Sequence, residues 1–366
     1  MPSAGESPRR HLLGLDVVRI LAALLVAVFH LGFAAGRGDS TFPQPVPWAW
    51  FGWTGVEIFF VISGYVIAYS ARGSAIDFVR ARLLRLLPGL WISTSITLAV
   101  LLTLGGPSLA EIGPAYLRSM TLFPYRPWLD GSVWSLCVEV VFYAAIAVSL
   151  WRRTSLVRTL LVLGGFSAMF HLIIVAALSG VGPDEAGVAV LRLSQSWSAS
   201  ITLLSHGCFF ALGGLLHAIT TGRRDASVMA TALVCALAGL AEVAVNCVTN
   251  FAGHPWPIAA LVVLTGVMLI VGAIRFNPFV WRRLARQAGI VRTLGLATYP
   301  FYLLHQEVGK ALMRTTEAWG APDLVSFAIA LAATAAAAIV VSVWLEPRVR
   351  TGLGRTFDAA RACVSG

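Results

Sequence analysis

The sequence predicts an all-α integral membrane protein of about ten transmembrane helices, with both termini in the cytoplasm. Three observations carry that expectation. Of 366 residues, 58% are hydrophobic and only 12% charged, about half the charged share usual in soluble domains. Apolar stretches recur at about 12–36, 51–71, 84–104, 133–150, 156–180, 199–219, 228–247, 256–274, 294–312 and 324–345, each near the roughly 20 residues a spanning helix needs. The 27 basic residues sort with alternate loops. Twenty, from Arg9 and Arg10 through Arg361, fall in one set. Six (Arg37, Arg118, Arg126, Arg192, Lys310 and Arg314) fall in the other, and Arg19 lies within a span. Basic loops stay in the cytoplasm, so this division orients the chain and favours an even number of spans. Residues 11–350 form one membrane domain, flanked by short tails at 1–10 and 351–366.

The first stretch is longer than a signal-peptide core and holds Asp16 and Arg19, so it is expected to remain as an anchor. Arg19 and His30 are eleven residues apart. On a helix that is about 16 Å with about 20° of drift, so both lie on one face. Neither belongs against lipid, and they are expected to look into a polar cavity. An imidazole there can exchange a proton near neutral pH.

The second stretch, Gly52 to Tyr65, is interrupted by Glu57 and Ser63. Its glycines allow close helix approach, and Glu57 fits either a capped structural acid or an active-site group. Before the third stretch, Arg82 and Arg85 share a helix face. They fit headgroup contacts or an anion clamp, since guanidinium suits phosphate oxygens. In the fourth, Glu139 stands about one and a half turns into the membrane, as an ion-pair partner or a catalytic group. In the ninth, Thr298, Tyr302 and His305 make a polar stripe, and Pro300 suggests a bend. Trp48, Trp50 and Trp53 read as an interfacial aromatic belt, with sugar stacking as the alternative.

The net charge of +10 follows topology and does not indicate nucleic acid. Five cysteines, Cys137, Cys208, Cys235, Cys247 and Cys363, form no Cys-x-x-Cys pair. His11, His171, His206, His217 and His254 show no ligand spacing. No metal site is expected.

The order of these motifs resembles the bacterial acyltransferase family 3, integral-membrane enzymes that O-acylate carbohydrates. The matching segments are Arg19 to His30, Gly52 to Gly64, Arg82-x-x-Arg85 before Pro88, Trp134 to Tyr143, Leu294 to His305, and Glu346-Pro347. Leu90 departs from them, standing where the family often has an aromatic. The resemblance covers about residues 11–350 and implies the stand-alone form. It implies acetyl-CoA or another acyl-CoA as donor, a carbohydrate acceptor, and a multi-pass position in the bacterial inner membrane. It also implies roles: His30 as general base or transient acyl carrier, and Arg19 on the donor or the developing oxyanion. Glu139 and His305 would line the same cavity and tune His30, while Arg82, Arg85 and more weakly Arg80 would hold CoA phosphates. The rival class is a secondary transporter of a polar solute, but the paired broken helices typical of such folds are not visible in the sequence.

Overall fold

The computed structural model describes residues 11–34, 44–179 and 184–365. Helices and turns are the only regular elements among them, in agreement with the all-α expectation. In chain order they are α1 Leu13–Gly32, α2 Gly55–Ser70, α3 Ala75–Thr103, α4 Leu109–Met120, α5 Val133–Trp151, α6 Leu156–Leu178, α7 Asp184–Ser194, α8 Trp197–Ile201, α9 Gly207–Thr220, α10 Ala226–Asn250, α11 Trp256–Arg275, α12 Asn277–Leu284, α13 Ala288–Leu304, α14 Glu307–Ala318, α15 Asp323–Val340 and α16 Glu346–Ser365. Eight helical stretches among the described residues are long and apolar enough to cross a membrane, and α9 is a shorter apolar helix.

Four segments differ from the sequence expectation. The stretch 199–219 is broken, because α8 ends at Ile201 and α9 starts at Gly207. The stretch 294–312 is also two helices, and His305 sits at the break rather than inside a span. A tertiary contact accounts for that break: the Asp130 carboxylate accepts the backbone N–H of Glu307 at 3.3 Å, capping α14 from a distant segment. The third helix begins at Ala75, with the Ser74 hydroxyl accepting the Asp77 N–H at 3.1 Å, so Arg80, Arg82 and Arg85 all lie within it. Finally, α15 continues through a π turn, Val341–Leu345, into α16, which is helical to Ser365 where a tail is expected. The tail 1–10 and residues 37–43 of the predicted first external loop lie outside the described residues.

The helices that carry the site meet backbone to backbone. A Cβ at Gly55 would lie 2.6 Å from the Ala22 carbonyl of α1. One at Gly64 would lie 2.0 Å from the Phe210 carbonyl, and one at Gly213 1.9 Å from the Val61 carbonyl. Small residues are what let helices approach this closely in a membrane. The crossing of α2 on α9 is flanked by buried aromatics, with the Phe210 ring 4.5 Å from both Phe60 and Phe142.

Candidate active site

Two of the cavities that helix α1 runs past hold the polar groups singled out in the sequence. The first, about 150 Å³, is lined by Arg19, Arg82, Arg85, Ser63, Glu139 and Tyr143 among others. Arg19 is half-buried and pairs with Asp16, one turn before it, at 3.2 Å. Glu139 of α5 accepts on Oε1 from the Ser63 hydroxyl and from the Tyr143 hydroxyl at 2.8 Å.

The two arginines of α3 that line this cavity are not equivalent. Arg85 donates to Glu346 at 3.3 Å, with its guanidinium 5.3 Å from the Tyr299 ring centre. Glu346 is 2% exposed and also receives Arg350, so Arg85 belongs to a buried network joining α3 to α16. Arg82 stacks on Phe78 at 5.5 Å, and its Nε has no hydrogen-bond partner. Arg80 points elsewhere: it pairs with Asp358 at 2.7 Å and does not line the cavity.

The second cavity, about 650 Å³, is lined by His30, Trp53, Glu57, Trp134, His206 and Glu242 among others. Trp50 and Trp53 of the expected aromatic belt are buried and only Trp48 is exposed. Trp53 faces this cavity while stacking on Phe251 at 5.7 Å. Behind His30 lies His305, 1% exposed, with ring centres 5.2 Å apart. His305 Nδ1 donates to the Tyr302 carbonyl at 2.7 Å, and the Tyr302 hydroxyl shares a 2.8 Å hydrogen bond with Ser135. Tyr302 and Ser135 line the arginine cavity. A continuous line of contacts thus runs from that cavity through Tyr302 and His305 to His30. Val56 lines both cavities and so forms part of the wall between them.

The sequence pattern of these residues is that of a known group: residues 12–346 match the model of an acyltransferase domain. The chain belongs to this acyltransferase family. It is similar to Nodulation protein 10 of Rhizobium leguminosarum bv. viciae, 29% identical over 182 residues, 42% of this chain and 48% of that protein. It is similar also to the exopolysaccharide production protein ExoZ of Rhizobium meliloti (strain 1021), 33% identical over 110 residues, 27% of this chain and 35% of that protein. The matches span about half or less of the length of these relatives. No solved structure matches the chain.

In this acyltransferase-family chain, the expected site residues divide. Sequence reasoning puts Arg19, His30, Glu139 and His305 around one cavity. The fold instead gathers Arg19 and Glu139 with Arg82 and Arg85, and His30 with His305 on the far side of the Val56 wall. Helical periodicity fixes the face that Arg19 and His30 share, but about 16 Å of rise separates them, and α2 crosses between them. Glu139 therefore touches Ser63 and Tyr143 rather than His30. His206 and Glu242 carry no signal in the sequence, because three different helical segments bring them beside Glu57.

Proposed function

We propose that the protein transfers an acyl group, acetyl first, from acyl-CoA to a carbohydrate hydroxyl in a bacterial inner membrane. The observation that carries this reading is the division of the site: an arginine-lined cavity and a larger aromatic- and carboxylate-lined cavity, joined through the His305–His30 pair. In the orientation that the basic loops favour, the arginine cavity faces the cytoplasm, the side where acyl-CoA is made. Arg82 and Arg85 then take CoA phosphates and Arg19 positions the donor in the same cavity, while the long pantetheine arm carries the thioester onward to His30. The aromatic faces and polar groups of the other cavity suit a sugar, and the exopolysaccharide name of one relative points the same way. His30 removes the proton of the acceptor hydroxyl as its oxygen attacks the thioester carbon. The C–S bond then breaks, and the departing CoA thiolate takes that proton from His30. His305 is a positioning residue that holds the His30 ring.

The test pairs a deletion strain with its complement and compares glycans and secreted glycosides by mass spectrometry. Material from the complement should be heavier by one acyl group per modified sugar. Purified protein should release free CoA thiol from acetyl-CoA only when acceptor is added. Identical glycan masses together with no thiol release would rule the reading out.

A further inference from the structure

We propose that Glu57, His206 and Glu242 bind one divalent first-row transition cation, zinc or manganese. One imidazole nitrogen and two carboxylate oxygens, one per residue, lie within 4.8 Å of one another. The three residues are 2%, 7% and 8% exposed. Glu57 Oε2, His206 Nδ1 and Glu242 Oε2 each lack a hydrogen-bond partner. His206 Nδ1 and Glu57 Oε2 are 3.4 Å apart. Two ionised carboxylates gathered in so dry a place are costly unless one takes a proton or a positive charge is shared between them. A divalent cation supplies that charge, and ligand atoms about 2.0–2.2 Å from a common zinc centre need only a small side-chain rotation from this arrangement.

The fold builds the cluster from three rigid pieces. Glu57 is in the first turn of α2, and His206 immediately precedes α9. The Gly64 and Gly213 contacts lock α2 against α9. Glu242 lies one turn beyond Gly239 of α10, where a Cβ would come 2.7 Å from the Phe209 ring. The His206 ring is held by Phe60 at 5.2 Å and Trp134 at 5.4 Å, which directs Nδ1 toward Glu57. Imidazole with two carboxylates suits zinc or manganese better than the all-oxygen sets that magnesium and calcium favour. Three protein ligands leave positions open toward the cavity, as in zinc sites that receive a further ligand. The three residues line the cavity that the acyl-transfer reading gives to the acceptor, but metal retention is read without turnover, so metal content and acyl transfer can fail separately.

The full chain, purified in detergent without a histidine tag, is loaded with zinc or manganese, desalted, and assayed by elemental analysis. About one ion per chain is expected, together with a rise in unfolding temperature on adding the metal. Cobalt should give a visible absorption band from the wild-type protein directly, which zinc then removes. Glu242→Gln and His206→Asn should weaken retention by at least about 100-fold, since even groups that merely orient a ligand cost 10–100-fold. A wild-type protein that holds no stoichiometric ion, shows no cobalt band and is not stabilised by either metal would overturn the proposal. So would equal retention by both variants, which would mark binding elsewhere.

Discussion

With its Nδ1 donating to the Tyr302 carbonyl at 2.7 Å, a neutral His305 must carry its lone pair on Nε2, and that atom has no hydrogen-bond partner. His30, half-buried on the cavity side of the same pair, is the ring that can reach a ligand. Replacing a general base usually lowers the rate by about 10²–10⁴. His30→Ala and His30→Gln should both lose acyl transfer on that scale in a CoA-release assay, while the proteins still insert and bind CoA. Near-wild-type turnover of His30→Gln would make His30 a structural contact. His305→Ala should be milder. Arg82 and Arg85, proposed to hold the donor, separate by a different measurement. Arg82 makes few commitments to the fold, so Arg82→Ala should raise the donor KM and leave the unfolding temperature unchanged. Arg82→Lys should recover only part of that KM, because an ammonium lacks the planar fork. Arg85→Ala should lower the unfolding temperature as well, because Glu346 loses one of two cationic partners in a buried place.

Helix crossings set where those residues sit. Gly213→Ala would drive a methyl group to within 1.9 Å of the Val61 carbonyl, where neither backbone can move cheaply. Overpacking of this kind costs about 1–3 kcal/mol or more, and thermal unfolding in detergent should fall accordingly. Gly165→Ala in α6, with nothing within 4 Å of the new carbon, is the control and should not destabilise. The break between α13 and α14 makes a separate prediction. Burial, with the Glu307 carboxylate second, raises the Asp130 carboxyl to about 7. A carboxyl raised in the folded state stabilises in full below its ordinary range near 4, and that contribution is lost as pH rises from about 4 to about 7. The wild-type unfolding temperature should therefore drop across that interval. The Asp130→Asn profile should be flatter there, and equal profiles would remove Asp130 as the cause.

For the whole molecule, the charge split between loops predicts that Ala110 in α4 faces outward and Ala226 faces the cytoplasm. Both are exposed. Cys137, Cys208, Cys235 and Cys247 are buried, so a Cys363→Ser background gives a clean labelling experiment. Ala110→Cys should react with an impermeant maleimide on intact cells, and Ala226→Cys only after lysis. The reverse pattern would invert the orientation and move the arginine cavity to the outer side.

The sequence by itself determined the all-α membrane class, the family, the common face of Arg19 and His30, and the common face of Arg82 and Arg85. These are local properties: apolar length sets a span, and 3.6-residue periodicity sets the direction in which a side chain leaves its helix. Tertiary structure alone decided depth and company. It put Arg19 and His30 on opposite sides of Val56, because α2 lies across α1 at Gly55. The Asp130 cap on Glu307 left His305 at a helix break instead of inside a span. Arg80 was drawn off to Asp358, on a C-terminal helix that continues past the last apolar stretch. Glu57, His206 and Glu242 were brought together from segments 36 to 185 residues apart. Such contacts depend on which backbones can touch, and the glycines that permit the touching show in the sequence only as small residues without named partners.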